Sequence, residues 1–562
     1  MSFEIIYLFL SYFIVLFSVL GYGFLFKPIF FENSKIDLGY HGLVGIFVLI
    51  IYSYISHFFF AHNIIHNSIL VCLGNLIFLY KVKTLFEKKA LNLFFLNFLI
   101  LFIALIIFKT HDDFPYYHFP YSYYLTQEPM LIGIGQFNHG FRTPSSLFYL
   151  NSLFYLPIIK YYSFYIPTLL IMGFVNLILL KNILEFKDEK KKDYLYFYSL
   201  FFFIFINIFF YRIQEHGTDR SAQILIIILF FQLFTFIKFE ENYKFLLNYI
   251  LLTLGIIISL KAFYFLYLIL ILPLLIILYI EKKFNFIIYV FKQKRFYIFL
   301  SLLFLILSVY FFNTGCFVYP VPFTCIDALE WSIGAEETTK LKEHYNLWSK
   351  AGKTPNFEID NPEMYLKNFN WLPNWMNMYF FNKVSDFLLG IFLLILVVFG
   401  FFYKKENKKN LTFDKEFKYL LIFYFFLILI FFEWFLNHPS LRYGGYVLIA
   451  SLLLIPFSIL IQRFNVSETN IKKKIYTLIC ITLLVFIFRN SSRINDEINQ
   501  YTYKPLINPY YLVNKNHFRI QEKFNHLINN YQKCILKKSS CDKEKFKKLK
   551  KFANNRFIFI GN

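Results

Sequence analysis

The sequence predicts an all-α polytopic membrane protein, and three observations carry that prediction. Hydrophobic residues make up 58% of the chain and charged residues only 16%, with a mean hydropathy of +0.52. Many apolar runs reach or approach the ~20 residues that cross ~30 Å of hydrocarbon as helix. Period-two alternation, the mark of a membrane β-barrel, is absent. The abundance of Phe, Ile, Lys and Asn reads as a bias of the source and carries little function.

Helices are expected near 5–26, 41–60, 65–80, 91–108, 164–181, 194–210, 222–238, 244–260, 262–280, 296–312, 386–403, 417–436, 444–461 and 475–488. That makes about fourteen spans (11–14). The start, Met1-Ser2-Phe3-Glu4, has neither a basic leader nor a small-residue cleavage site, so it reads as the beginning of an uncleaved first span. Residues 145–160 are apolar but too few to cross; they read as an interfacial or re-entrant helix. No internal repeat and no Gly/Ser linker divides residues 1–488, and 489–562 reads as a small Lys-rich helical tail, too short for an independent enzyme domain.

Charge assigns the sides. In a soluble protein a net charge of +22 would point to nucleic acid. Here much of the lysine falls in short connections, where the positive-inside rule accounts for it, and no nucleic-acid partner is expected. The clusters at Lys81–Lys89, Lys187–Lys192, Lys282–Arg295, Lys404–Lys409 and Lys472–Lys474 all fall on one side, which is therefore taken as cytoplasmic. Arg489 and Arg493, at the opposite end of the last span, conflict with this assignment and are outvoted. The N-terminus, the large loops 109–163 and 313–385 and the tail are then expected on the outer, periplasmic side of the cytoplasmic membrane. All five tryptophans map to that side. So do two close cysteine pairs, Cys316/Cys325 and Cys534/Cys541, whose spacing permits two local disulfides in an oxidising compartment. Cys72 and Cys480 lie inside spans and read as inert apolar residues.

Four polar clusters project on the outer face. The first is His111-Asp112-Asp113-Phe114-Pro115-Tyr116-Tyr117-His118, followed by Gln136, Asn138, His139 and Arg142. Two carboxylates at the mouth of a span are costly: an ionised group at the bilayer centre costs about 2.5–3.5 kcal/mol, so such groups sit at edges or in polar cavities. The second is Tyr211 through Arg220, with Glu215 and Asp219. The third is Lys261, alone between apolar runs, and the fourth is Asn437-His438-Pro439-Ser440-Leu441-Arg442-Tyr443. Each has a plain reading: a solvated loop turned by Pro115 and Pro120, local ion pairs of Glu215 or Asp219 with Arg212 or Arg220, a snorkelling Lys261, an interfacial Arg442. Together they place acids and cations at one surface beside hydrocarbon helices. That suits transfer from an anionic lipid, with a carboxylate as general base and Arg or Lys stabilising a departing phosphate.

Asp113-Phe114-Pro115-Tyr116-Tyr117-His118 resembles the D-x-x-x-Y-H loop of bacterial membrane glycosyltransferases of the GT-C superfamily. Gly217-Thr218-Asp219 resembles their second acidic loop, and His438-Pro439-x-x-Arg442-Tyr443 their later P-x-x-R-Y/F element. Asn313 through Pro320 looks like the start of their long outer loop. The resemblance covers order and sidedness over roughly residues 5–460. It implies a sugar donor on polyprenyl phosphate or diphosphate and transfer to a glycan, lipid or protein acceptor outside the membrane, usually with inversion. It carries Asp113 over as the base, Asp219 as the second acid and Arg442 as a phosphate contact. Asp112 lies outside it, as a partner carboxylate or a bystander. Lys261, Tyr117, His118, His438, Glu215, Arg220 and Tyr443 complete the candidate substrate or phosphate contacts. If a divalent metal (Mg²⁺ or Mn²⁺) is a cofactor, Asp113 and Asp219 are its candidate ligands, although no spacing demands one.

Other chemistries find little support. His57, His62 and His66 read as polar loop histidines rather than a zinc site. No P-loop, Rossmann glycine pattern, serine elbow or Cys-x-x-Cys is present. Three alternatives to the glycosyltransferase reading stay open: a polysaccharide polymerase or ligase, a transporter of lipid-linked saccharides, and a non-catalytic envelope assembly protein. The transporter predicts ionisable residues within helix interiors; here they cluster at helix ends.

Overall fold

A computed structural model describes residues 3–32, 34–85, 88–184, 194–214, 217–238, 243–353, 357–403, 415–461, 468–537, 549–552 and 556–561. The lysine clusters at 187–192 and 404–409 lie outside the described residues, as do Glu215 and Cys541.

Among the described residues, ten helices are long and apolar enough to cross a membrane. Four shorter apolar helices, Ala90–Leu105, Tyr194–Phe209, Leu246–Leu260 and Gly445–Ile461, accompany them. The chain is a polytopic helical membrane protein. Its helices are apolar on most faces, because one face packs inward and the other meets hydrocarbon. On Ile64–Leu85, for example, Ile65, Ile69, Leu73 and Leu76 form an exposed stripe at helical spacing. The central helix, Tyr161–Leu184, is buried from Ser163 to Leu180, and most of Gly217–Lys238 is buried as well. Close helix contact relies on small residues: a Cβ on Gly21 would stand 1.8 Å from the carbonyl oxygen of Gly74 on the neighbouring helix.

Several expectations need correction. The long loop 313–385 ends earlier, because a continuous helical run covers Leu372–Phe402. Pro373 sits at the start of that run, where its missing N–H costs nothing. Within the loop, Cys316 and Cys325 are joined by a disulfide. The segment 145–160 contains an eight-residue helix, Ser146–Leu153, buried along its whole length. At ~1.5 Å per residue it covers far less than a bilayer core.

The tail is neither wholly helical nor set apart. The last apolar helix runs unbroken from Glu468 to Tyr501, and a second helix, Lys515–Lys537, follows. Leu549–Phe552 and Arg556–Phe559 then pair as an antiparallel hairpin. The tail packs on the first large loop: the Phe518 ring meets Phe119 and Tyr123, and the Phe559 N–H donates to the Ile132 carbonyl at 2.9 Å. The Gly561 N–H donates to the Glu330 carbonyl at 2.8 Å, tying the tail to the long loop as well. Cys534 is disulfide-bonded; Cys541, its expected partner, is not among the described residues.

Arg489 and Arg493 have a local explanation. Arg489 Nη1 donates to the Ile208 carbonyl at 2.6 Å, at the end of Tyr194–Phe209. Arg493 Nη2 donates to the Ile106 carbonyl at 2.8 Å, just past the turn Phe102–Leu105. Cations at carbonyl-rich helix ends satisfy orphan acceptors and the helix dipole. Of the five tryptophans, Trp371, Trp375 and Trp434 are buried.

Candidate functional site

Three of the four polar clusters meet at Asp219 and Arg442, and the first joins them through Asp113 and Tyr117. Asp113 opens a wide five-residue turn, Phe114–His118, whose carbonyl at Phe114 accepts from the Phe119 N–H. Pro115 and Pro120 withhold donors here, which favours an irregular turn over a regular helix. The Asp113 carbonyl accepts from both Tyr116 and Tyr117 N–H at 3.2 Å, and the Asp113 N–H donates to His111 Nδ1 at 3.1 Å. Asp219 lies in the first turn of Gly217–Lys238, where the positive end of the helix dipole suits a carboxylate. Lys261 is an extended residue that interrupts the helical run between Tyr243–Leu260 and the tightly wound helix Ala262–Leu270.

Arg442 sits in the short turn Leu441–Tyr443, after Pro439 and before Gly444 at φ +92°, a value that favours glycine. Aromatic side chains hold this turn. Trp375 Nε1 donates to the Pro439 carbonyl and Trp434 Nε1 to the Ser440 carbonyl, each at 2.9 Å. The Leu441 N–H donates to the Tyr379 hydroxyl at 2.9 Å, and Gln223 Nε2 to the Arg442 carbonyl at 3.1 Å.

The guanidinium is the hub. Its Nη1 lies 2.6 Å from Asp113 Oδ2, its Nε donates to Asp219 Oδ2 at 2.7 Å, and its Nη2 donates to the Tyr117 hydroxyl at 3.0 Å. Lys261 Nζ takes the other Asp219 oxygen, Oδ1, at 2.5 Å and sits 4.8 Å from the centre of the Tyr443 ring. Two cations and two carboxylates thus balance. Asp219 is 1% exposed at its side chain and Asp113 31%, so they are not equivalent: one is sealed in the cluster and the other reaches solvent. The described contacts of the Asp113 carboxylate all fall on Oδ2, leaving Oδ1 available.

Burial by itself would raise the Asp113 carboxyl, but the Arg442 guanidinium, with His111 and His118, holds it below the ordinary carboxylate range. The stability consequence has a definite sign. A depressed folded-state pKa contributes stability above the unfolded value of about 3.9, lost as pH falls through the folded-state value. Thermal unfolding followed by tryptophan fluorescence is expected to show wild type losing this contribution below pH ~4, and Asp113→Asn lacking that acid-sensitive component. Identical acid profiles for the two proteins would rule the linkage out.

His118 is buried, and its Nε2 has no hydrogen-bond partner among the described residues. Burial, then Arg442, pushes it down to about 3, so it stands as a neutral imidazole beside the cluster. His438 is pushed down to about 4 by burial and by the neighbouring Lys350, Lys261 and Lys342. Tyr443 lies between Trp348, at 6.1 Å between ring centres, and Lys261.

Other expected site residues fall elsewhere. Asp112 is exposed, with no described contact to the Arg442 cluster. Arg220 turns back onto the Arg212 carbonyl rather than into the cluster. Asp219 pairs with Lys261 and Arg442 rather than with its near neighbours Arg212 or Arg220. Arg142, Gln136 and Asn138 serve as scaffold: Arg142 Nε donates to the Gly135 carbonyl at 3.0 Å, Gln136 Nε2 to the Ser332 carbonyl at 2.7 Å, and Asn138 caps Gly140 N–H at 2.8 Å. Asp113 and Asp219 face cations, and no group of three or more potential metal ligands occurs among the described residues. His62 lies in the connection between Leu38–Phe59 and Ile64–Leu85, as expected, but it is buried, its two ring nitrogens held by Ser56 Oγ at 2.8 Å and Ser152 Oγ at 2.7 Å.

Two features had no signal in the sequence. Lys350 is 5% exposed, its Nζ 4.9 Å from the Trp371 ring centre, and no carboxylate pairs with it among the described residues. Burial lowers it to about 8. Next to the Arg442 turn lies an apolar cavity of about 420 Å³, lined by Trp375, Phe380, Phe431, Trp434, Leu452 and Leu453 among others. Trp375 and Trp434 wall this cavity with their rings and hold the turn with their N–H groups.

A family model described as a domain of unknown function (DUF8201) matches residues 5–449, which include all four polar clusters. No curated protein and no solved structure matches the chain.

Proposed function

The chain belongs to the DUF8201 family, whose description names no activity, and we propose its function from the site: transfer of a sugar from a polyprenyl phosphate or diphosphate carrier to a cell-envelope acceptor, at the outer face of the cytoplasmic membrane. The observation that carries this reading is Arg442 joining a partly exposed acid to a sealed one beside an apolar cavity. Such a junction fits a lipid with an anionic head. The prenyl chain occupies the Trp375/Trp434 cavity, and the phosphate meets Arg442, with Lys350 as an unneutralised cation nearby. Trp348 and Tyr443 offer faces for a sugar ring.

The step is a displacement. The acceptor hydroxyl oxygen attacks the anomeric carbon as its proton passes to Asp113 Oδ1. The bond from that carbon to the phosphate oxygen breaks, and the phosphate keeps the electron pair, stabilised by Arg442. Asp113 is a weak base while Arg442 holds it. An arriving phosphate competes for the guanidinium, weakens that hold and raises the base toward its ordinary range. Asp219, with both oxygens engaged, is a positioning residue for Arg442 and Lys261.

The charge balance favours a second reading, in which the cluster only pins four loops of an assembly protein. The experiment is consumption of a panel of radiolabelled polyprenyl-phosphate sugars by purified protein in nanodiscs, with and without Mg²⁺ or Mn²⁺. Wild type is expected to release sugar from at least one donor. Leu453→Trp, which fills the cavity, is expected to raise KM about tenfold for long-chain donors, as loss of one to two buried methylenes would. KM for a two-isoprene donor should stay unchanged. No consumption of any donor favours the assembly reading, and equal effects on long and short donors remove the cavity from it.

A further inference from the structure

A second cavity, of about 370 Å³, opens at the polar end of the last apolar helix, and its lining includes Lys109, Arg212, Arg489, Arg493, Asp496 and Glu497. None of these six belongs to the Arg442 cluster. Among the described residues of this lining cations outnumber carboxylates four to two, and Glu497 is already engaged. Its Oε2 accepts from the Phe108 N–H at 3.0 Å and lies 3.5 Å from Arg493 Nη1. Arg489 is fixed by the Ile208 carbonyl at one nitrogen and by the Tyr211 ring, 3.9 Å from its guanidinium carbon. One of its five N–H donors is thereby used, and the group is held rigidly at the cavity wall.

The position of the cavity relative to hydrocarbon decides what it takes. Ile481, Leu484 and Phe488 are 44%, 64% and 73% exposed and follow one another at helical spacing on Glu468–Tyr501. That stripe is lipid-facing, and Ser492 and Asp496, the next positions on it, line the cavity. Phe488 lines it too. Apolar surface that faces acyl chains therefore leads directly into a pocket with an excess of guanidinium and ammonium groups. A soluble anion would have no use for the stripe.

We propose that this cavity binds the phosphate headgroup of an anionic membrane lipid, with the acyl chains lying along Phe488, Leu484 and Ile481. Arg489 and Lys109 contact the phosphate, and the lipid seats the last apolar helix against Tyr211 and the loop after Phe108. This site is independent of sugar transfer and survives failure of that reading.

The test is native mass spectrometry of the full-length protein in detergent, titrated with phosphatidylglycerol, phosphatidylcholine or inorganic phosphate. Wild type is expected to bind one phosphatidylglycerol about tenfold more tightly than phosphatidylcholine. Arg489→Gln is expected to weaken that lipid about fivefold and the milder Lys109→Gln about threefold, in line with the worth of single basic residues toward anionic lipid. Lys109 is exposed, so its variant tests the site without disturbing packing. Equal binding of the two lipids by wild type overturns the proposal, as does unchanged selectivity in both variants. Binding of inorganic phosphate that depends on Arg489 and Lys109 while phosphatidylglycerol fails to compete assigns the cavity to a soluble anion and overturns the lipid.

Discussion

Asp113→Asn is expected to lower sugar transfer by about 10²–10⁴-fold, the usual worth of a general base, in a protein that folds and inserts as wild type does. The asparagine keeps the size of the side chain and an oxygen for Arg442 Nη1, now 2.6 Å from Oδ2, but gives up the charge that would accept the acceptor's proton. The loss should fall on kcat, because the donor's phosphate and prenyl chain are bound by other groups. Rates measured on the donor panel at equal protein would check this. Full transfer by the variant would remove Asp113 as the base. A loss of folding with no measurable chemistry in wild type would favour the pinning reading. Asp112→Asn at the exposed neighbour is the matched control, expected to leave both rate and stability unchanged.

Removing Arg442 is expected to have the largest effect on stability. Arg442→Met leaves Asp219, sealed at 1% exposure, with Lys261 alone, and leaves Asp113 without its guanidinium. Breaking one partner out of a buried ion cluster costs about 3–5 kcal/mol, whereas removing matched charges together is often close to neutral. Arg442→Met/Asp113→Asn keeps the Lys261–Asp219 pair balanced, so it is expected to regain much of the lost melting temperature while transferring no sugar. Arg442→Lys keeps the charge but cannot reproduce three directed contacts from Nε, Nη1 and Nη2. It should retain more stability than methionine and still lose most transfer. If Arg442→Met melts with wild type, the cluster does not hold the loops. If Arg442→Lys transfers at the wild-type rate, the forked geometry has no catalytic part.

The helices were legible because crossing hydrocarbon is nearly a one-dimensional constraint. A run such as Ile64–Leu85 must be largely apolar over about 30 Å whatever it packs against, and charged residues such as Asp113, Lys261 and Arg442 fall between such runs. The same logic located the clusters that meet at Arg442, since a charge kept beside a span needs a partner. Where composition was ambiguous, local chemistry misled. Arg489 and Arg493 stood against the assigned sides but cap helix carbonyls, and no local pattern showed that Trp375 and Trp434 hold the turn that carries Arg442.

The sequence by itself determined that this is a helical membrane protein with acids and cations gathered at span ends. Only the tertiary structure decided the pairing. Asp219 could have taken Arg220, one residue away; instead it takes Lys261 and Arg442, the latter 223 positions along the chain. Local spacing permits either pair, and only the packing of Gly217–Lys238 beside the Pro439–Tyr443 turn brings the distant guanidinium within 2.7 Å. The same holds for buried Lys350, for the apolar cavity beside Arg442 and for the hairpin that closes the tail onto Ile132. Each depends on surfaces from segments far apart in sequence, and no local pattern encodes which of two apolar or charged surfaces a helix will meet.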